Sequence, residues 1–105
     1  MQVAISKRRA KTLAAGSIQY VNEIGVWYTT LYSVVENVVV PIGTKPHDSF
    51  EEALEDGNES LKTDPQDWIT IDEGEVEKYI LDHAKNSWRP TLRETSSKPR
   101  GDRQQ

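Results

Sequence analysis

The sequence predicts a small α+β domain, in which a three- to four-stranded antiparallel sheet carries two or three helices packed on one face. Three observations lead to this fold class. Residues 26–42 are rich in β-branched and aromatic side chains and contain a two-residue turn signal. Two amphipathic segments follow, and each begins with a helix-capping pattern. With 105 residues, 35% of them hydrophobic, the chain can form one small core.

Residues 26–42 are predicted to form the central β-hairpin. Glu36-Asn37 interrupts the apolar run, and Asn tolerates the positive φ that a two-residue turn requires. A turn at these two residues pairs Val35 with Val38.

The strand period of two sorts the hairpin side chains onto two faces. The expected core face carries Trp27, Thr29, Leu31, Ser33, Val35, Val38, Val40 and Ile42. The opposite face carries Val26, Tyr28, Thr30, Tyr32, Val34 and Val39. Because this second face is amphipathic, it suits a covering helix, a partner surface or water equally well.

The segment before the hairpin is predicted to begin with a basic helix or arm over residues 1–16. Ser6 is a suitable N-cap and Gly16 a natural C-terminal stop. Residues 18–22 then form a short strand. The apolar spacing also fits a single helix over residues 6–24, and this alternative stays open.

The residues after the hairpin form the rest of a single domain over residues 17–88. Ser49 and Glu52 fit a capping box at the start of a helix, within which Gly57-Asn58 is a candidate early stop.

A short strand and a second helix complete this domain. Residues 68–71 alternate as a strand, and Asp72 with Glu75 fits a second capping box for a helix that ends near residue 86. Trp88 is expected to fold back onto the core. Residues 89–105 have the composition of a basic disordered tail.

Residues 18–34 also resemble a bacterial helix-turn-helix. The resemblance is carried by Ile24-Gly25-Val26, which follows an apolar segment, and by Thr30-Leu31-Tyr32, where such motifs often read TLY or TVY. It implies a second helix that enters the major groove of DNA and reads base edges. The segment has no Arg, Lys, Asn or Gln after residue 25, and its β-branched and aromatic content favours a strand, so the hairpin is preferred.

Charge is distributed unevenly along the chain, whose net charge is −4. Residues 1–46 carry +3, residues 47–86 carry −10 and residues 87–105 carry +3. The absence of Cys excludes a disulfide framework, a zinc ribbon and thiol chemistry. Since no apolar run is long enough for a signal peptide or a membrane span, we expect a soluble, cytoplasmic protein.

No motif in the sequence predicts an enzyme, and no cofactor is expected. The two His, at positions 47 and 83, have no second His or Cys at ligand spacing, so no metal site is predicted. The many carboxylates lie on predicted solvent faces, whereas general acid or base catalysis needs a partly buried group.

The preferred function is a non-enzymatic protein–protein interaction or regulatory protein, in the style of a phage or plasmid accessory factor. A protein is the expected partner, and self-association would help so small a core. Aromatic side chains supply contact area at little entropic cost. The candidate partner-binding residues are Trp27, Tyr28, Tyr32, Glu51, Glu52 and Glu55.

Two alternative functions follow from charge. The first is a nucleic-acid-binding transcriptional regulator, which would use the helix-turn-helix-like segment or the basic termini. Its candidate residues are Lys7, Arg8, Arg9, Lys11, Arg100 and Arg103. The second is an acidic mimic of nucleic acid, in which two acidic helices on one side of the sheet occupy the basic groove of a nuclease or polymerase.

Overall fold

A computed structural model describes residues 1–8 and 12–88, with side chains described as far as residue 84. The described part is an α+β fold with a five-stranded antiparallel sheet and two helices. The strands are β1 (Gln2–Ile5), β2 (Ala15–Val21), β3 (Val26–Val35), β4 (Val38–His47) and β5 (Ile69–Thr70), and the helices are α1 (Phe50–Leu61) and α2 (Val76–Trp88). The strand order in the sheet is β4-β3-β2-β1-β5.

The β3–β4 hairpin has the predicted register. Val35 pairs with Val38 across a two-residue turn in which Glu36 has a φ of 51° and Asn37 a φ of 66°. Two consecutive positive φ angles define a type I′ turn, whose twist matches that of the flanking strands. A β-bulge between Leu31 and Tyr32 then shifts the register of the rest of β4 by one residue.

The two helices lie on opposite faces of the sheet, which corrects the prediction that all helices share one face. Val3 of β1 packs in the cluster that contains Ile80 of α2, whereas its neighbour Ala4 packs in the cluster that contains Ala53 of α1. Successive residues of a strand point to opposite faces, so β1 is buried on both sides. The two acidic helices are therefore not side by side.

Each helix covers a different half of β3. Trp27 and Leu31 pack against the α1 cluster, and Thr29 Oγ1 donates a hydrogen bond of 2.9 Å to the Ala53 carbonyl oxygen. Tyr32 and Val34 pack against the α2 cluster on the opposite face. Consequently, on the face of the sheet that α1 covers, which we call the α1 face, the turn end of the hairpin extends beyond the helix.

Helix α1 begins at the predicted capping box and continues through Gly57-Asn58, so the candidate early stop at these residues does not occur. Ser49 Oγ accepts from the Glu52 amide at 3.2 Å, and the Asp48 amide donates to Glu52 Oε1 at 3.3 Å. The helix ends at Leu61, followed by Lys62 in a left-handed conformation with a φ of 60°.

Gly57 and Asn58 are required by Trp68, whose side chain crosses α1 at this point. A Cβ at position 57 would lie 2.6 Å from Trp68 Cζ2. The Asn58 Oδ1 atom accepts hydrogen bonds of 2.7 Å from Trp68 Nε1 and from Thr63 Oγ1. Gly57 and Asn58, which weaken a helix by propensity, therefore provide the space and the hydrogen-bond acceptor for the indole ring of Trp68, a residue that is 8% exposed.

The N-terminal segment is not the predicted basic helix. Among the described residues of 1–16, residues 2–5 form β1 and Ala15 and Gly16 begin β2; none is helical. Gly16 lies in the strand, where a Cβ would meet Leu61 Cδ1 at 3.0 Å, so the residue allows close contact with α1 instead of ending a helix.

The helix-turn-helix resemblance is also overturned. Residues 18–34 lie in β2, a four-residue turn over 22–25, and β3, and the two strands pair from Ala15 with Tyr32 to Val21 with Val26. No recognition helix is present there, because pairing and burial on the sheet select the extended form of these β-branched and aromatic residues.

The predicted strand over residues 68–71 and the final helix are present with altered details. Strand β5 pairs with β1 at the sheet edge. Asp72 makes no side-chain capping hydrogen bond, and a 3₁₀ turn over Glu73–Glu75 leads into α2 in place of the predicted capping box. The side chain of Trp88 and residues 89–105 lie outside the described residues.

Candidate functional site

An aromatic cluster marks one end of the α1 face. The Trp27 ring lies between Tyr20 and Phe50, with ring centroids 4.7 Å and 5.3 Å away. Tyr20 and Trp27 are directly paired across β2 and β3, and Phe50 is the first residue of α1. The helix thus fixes one side of the indole, while Tyr20 remains 45% exposed.

A pocket of about 350 Å³ opens beside this cluster. Its lining combines aromatic and aliphatic surfaces with amide, hydroxyl and carboxylate groups. We name it the aromatic pocket, and it is lined by Met1, Gln2, Ile18, Gln19, Tyr20, Trp27, Thr70 and Glu73. Glu73 is exposed and forms no ion pair within the described part of the chain.

The other end of the hairpin exposes aliphatic side chains. Val35 is 53% exposed and its partner Val38 is 58% exposed. Further along β4, Val40 is 36% and Ile42 is 52% exposed. We call these four residues the hairpin tip. Val35, Val38 and Val40 are aligned on the α1 face, where α1 does not reach them.

The open edge of the sheet at β4 is unsuited to pairing with another strand over its full length. Val35 and Val38 flank a two-residue turn and exchange hydrogen bonds, so alternation makes Tyr32 opposite Pro41 a non-hydrogen-bonded pair. The Pro41 nitrogen therefore faces the open edge and has no proton to donate. Pro46 lies opposite Tyr28, which is four residues from Tyr32 along β3. The Pro46 nitrogen therefore has the same orientation as the Pro41 nitrogen.

The candidates Tyr28 and Tyr32 do not form one exposed aromatic face. Tyr32 packs on the α2 cluster, and its hydroxyl lies 2.9 Å from the buried Ser17 Oγ. Tyr28 is half-buried opposite Pro46, on the same face as the α2 cluster but outside the described residues that pack on it. Tyr32 is therefore a packing residue of the fold.

The acidic candidates on α1 divide into two groups. Glu52 belongs to the capping box. Glu51, Glu55 and Glu59 are exposed at a spacing of four residues, and none of them forms an ion pair with a described residue. Like charges at this spacing weaken a helix slightly. This outer surface of α1 thus carries negative charge that the described fold does not neutralise.

Two of the basic candidates have partners within the fold. Lys7 Nζ lies 2.8 Å from Asp67 Oδ2, and Arg8 Nε donates to the Ser60 carbonyl oxygen at 2.6 Å. The Arg8 guanidinium therefore lies at the C-terminal end of α1, where the helix dipole favours positive charge, whereas the Lys7 ammonium pairs with the turn that follows the helix. Arg9, Lys11, Arg100 and Arg103 lie outside the described residues.

The hydrogen bond between Lys7 and Asp67 shifts the pKa of both groups. It raises the pKa of Lys7, and with the Asp64 amide it lowers the pKa of Asp67. Each shift favours the charged form in the folded state. Since the two side chains are 52% and 23% exposed, solvent screens the interaction.

The two histidines occupy structural positions in the described fold. His47 Nε2 lies 3.0 Å from Asp56 Oδ2 and joins the end of β4 to α1. His83 packs on the ring of Tyr79, with centroids 4.1 Å apart. Across residues 1–8 and 12–88, no group of three or more His, Cys, Asp or Glu is arranged to hold a metal ion.

Sequence reasoning missed most of the residues that now define the site. Tyr20 and Glu73 were not candidates, because the pocket joins a strand to a turn about 50 residues away in the chain. The hairpin tip was assigned to the core face. The position of its residues beside the Glu36-Asn37 turn could have indicated that they are exposed, because the end of a hairpin extends away from the centre of a sheet.

Comparison with known proteins yields no match to a protein-family model, a curated protein or a solved structure. Neither helix of the described part has the length and apolar character needed to cross a membrane. Function is therefore inferred from the chemistry of the described residues alone.

Proposed function

We propose that this chain is a small non-enzymatic interaction protein that docks on another protein through the hairpin tip. The exposure of Val35, Val38, Val40 and Ile42 together, on one end of a paired hairpin, is the observation that supports this function. Apolar side chains grouped at the surface are typical of binding sites, whereas isolated ones are not. Burying the exposed half of each would contribute about 1 kcal/mol per residue.

The partner we infer has an apolar surface bordered by basic residues. On the same side of the sheet as the tip, α1 presents Glu51, Glu55 and Glu59 without cationic partners among the described residues. Opposite charges at the border of an interface steer association and fix the docking register.

A different protein suits the tip better than a second copy of this chain. A second copy would bring another acidic α1 surface, on which Glu51, Glu55 and Glu59 form no ion pair with a described residue, against the first. Since four half-exposed aliphatic side chains cover far less than the roughly 800 Å² per partner of a standard stable interface, the partner must also contact α1, and a partner with basic residues there is favoured. Strand addition at β4 is limited by Pro41 and Pro46, so docking through side chains is favoured.

Site-specific photo-crosslinking in the native cell tests this proposal. A photoreactive residue at position 38 should capture a distinct protein, while the same residue at position 44, on the opposite face of β4, should not. The captured protein is then purified, and its affinity for this chain is measured by calorimetry.

Matched substitutions complete the test. The double variant Val35→Thr, Val38→Thr keeps β-branching and should weaken binding at least tenfold, whereas Thr44→Val should not. Equal capture at both positions, capture of this chain alone, or unchanged affinity of the double variant would each overturn the proposal.

Nucleic-acid binding through the basic termini and acidic mimicry through α1 alone remain as competing proposals, because the fold removes the recognition helix and separates the two acidic helices. Each has its own measurement. Anisotropy titrations with duplex and single-stranded DNA at two salt concentrations test the first, since phosphate contacts weaken steeply with salt. For the second, reversing Glu51, Glu55 and Glu59 to Lys should abolish binding to a basic nuclease groove. Glu52 is left unchanged there, because it caps α1.

A further inference from the structure

We propose that the aromatic pocket binds the side chain of a Lys or Arg from the protein partner. This inference rests on the proposed function and names the chemistry that the partner presents at the second end of the α1 face. The pocket combines two aromatic rings with one unpaired carboxylate, which together select a cation.

The two aromatic rings that line the pocket contact each other. The planes of Tyr20 and Trp27 are tilted by 42°, with centroids 4.7 Å apart, so the rings do not stack flat on each other. Phe50 packs edge-on against Trp27 at 64° and fixes the indole from the helix side. A preformed aromatic wall attracts a cation through the ring quadrupole, and Trp and Tyr are the strongest such partners.

The polar groups of the pocket favour a cation over a neutral aromatic ligand. Glu73 contributes a carboxylate that forms no ion pair within the described residues, and the N-terminal ammonium of Met1, which is also a lining residue, donates its hydrogen bond to the Ile71 carbonyl oxygen. Gln2 contributes a side-chain amide and Thr70 a hydroxyl. Gln19, by contrast, alternates with Ile18 and Tyr20 along β2, so its side chain belongs to the opposite face. Carbonyl and hydroxyl oxygens accept hydrogen bonds from an ammonium or a guanidinium group. An anionic ligand would instead meet the carboxylate of Glu73.

The size and location of the pocket suit one side chain of a protein. Its volume of about 350 Å³ is near the lower limit of small-molecule sites. Trp27 and Val35 lie on the same face of β3, about 27 Å apart along an extended strand. A basic partner that contacts the tip could therefore reach the pocket across the outer surface of α1.

Peptide binding to the intact chain tests this inference without the natural partner. The probes are acetylated, amidated pentapeptides with Lys, Arg or norleucine between two pairs of glycines. The readout is the indole N–H resonance of Trp27, assigned with Trp27→Phe. The Lys and Arg peptides should give a saturable shift that weakens as salt rises, and the neutral norleucine peptide should give none.

Two pairs of variants identify the groups responsible. Tyr20→Leu and Glu73→Gln should each weaken peptide binding at least fivefold. Tyr20→Phe, which keeps the ring, and Glu77→Gln, which removes a nearby exposed charge outside the pocket, should bind as the parent does.

The outcomes separate this inference from the proposed function. Equal binding of the norleucine peptide, no shift with either cationic peptide, or equal loss in Glu77→Gln overturns the cation site. The docking role of the tip would stand in that case if the threonine double variant still loses its partner. Saturable binding of the cationic peptides supports the pocket even if the tip variants bind normally.

Discussion

Trp68 packs against the bare backbone of Gly57, so closely that a Cβ at position 57 would lie 2.6 Å from the indole ring. The ring cannot easily move away, because its Nε1 donates a hydrogen bond of 2.7 Å to Asn58 Oδ1. One contact thereby fixes the loop after α1 to the middle of that helix.

Substitution Gly57→Ala should destabilise the fold, although Ala is the better helix former. Overpacking costs about 1–3 kcal/mol, which exceeds the gain of about 1 kcal/mol in helix propensity. Urea unfolding followed by tryptophan fluorescence measures the difference. Gly74→Ala is the control, since no atom lies within 4 Å of the added Cβ. Equal effects at both positions would contradict the packing explanation.

Substitution Asn58→Ala should lower the free energy of unfolding by about 1–3 kcal/mol, because it leaves Trp68 Nε1 and Thr63 Oγ1 without their acceptor. Both donors belong to buried residues. Asn22→Ala, in the exposed β2–β3 turn, should change stability by less than about 0.5 kcal/mol. A thermal unfolding curve that is unchanged by Asn58→Ala would refute the acceptor role.

The hairpin turn can be improved, because Glu36 adopts a φ of 51° that is costly for a side chain of its type. The double variant Glu36→Asn, Asn37→Gly has the preferred type I′ residues and should raise the free energy of unfolding by about 1 kcal/mol. Glu36→Val should lower it, since β-branching disfavours positive φ. Shifts in the same direction for both variants would argue against a type I′ turn.

The Lys7–Asp67 pair should make stability depend on pH at both extremes. The pKa of Asp67 is lowered in the folded state. The pair therefore stabilises the fold above the ordinary carboxyl pKa of about 3.9, and this stabilisation is lost as pH falls through the pKa that Asp67 has in the folded state. The pKa of Lys7 is raised in the folded state. The pair therefore stabilises the fold below the ordinary lysine pKa of about 10.4, and this stabilisation is lost as pH rises through the pKa that Lys7 has in the folded state.

Unfolding midpoints of the parent and of Asp67→Asn across pH 2–6 check the acidic limb. The parent should lose more stability on acidification than the variant does, and high salt should reduce the difference because the pair is exposed. Asp72→Asn serves as a charge-matched control. Identical pH profiles for the parent and Asp67→Asn would contradict the pairing.

Local signals in the sequence were sufficient for two elements. Glu36-Asn37 predicted the hairpin register, and Ser49 with Glu52 predicted the start of α1, because each depends on residues only a few positions apart. The α+β class with an antiparallel sheet follows from these two elements and is confirmed.

Errors occurred where distant residues decide the structure. Ala15 and Gly16 fell within the predicted N-terminal helix, yet they begin β2, in which Ala15 packs on the α2 cluster and Ile18 on the α1 cluster. Small and apolar residues without polar alternation are typical of a strand buried on both faces. That pattern could have indicated helices on opposite sides of the sheet.

The candidate site was predictable only in part. Trp27 and the exposed Glu51 and Glu55 were identified from residue type and amphipathic pattern. The aromatic pocket also needs Tyr20 and Glu73, and no periodicity within either segment indicates that the other lies beside it. Lys7 and Arg8 were nucleic-acid candidates and both are exposed, but local sequence did not indicate that Lys7 would pair with Asp67 or that Arg8 would donate to the Ser60 carbonyl oxygen.

Pro41 and Pro46 have a consequence for how this protein behaves at high concentration. Exposed valines beside an unprotected strand would invite cross-β polymerisation, in which each new chain adds a full row of amide hydrogen bonds. Two missing donors along β4 interrupt that row. The chain can therefore expose Val35, Val38 and Val40 beside β4 without offering an uninterrupted strand edge for fibril growth.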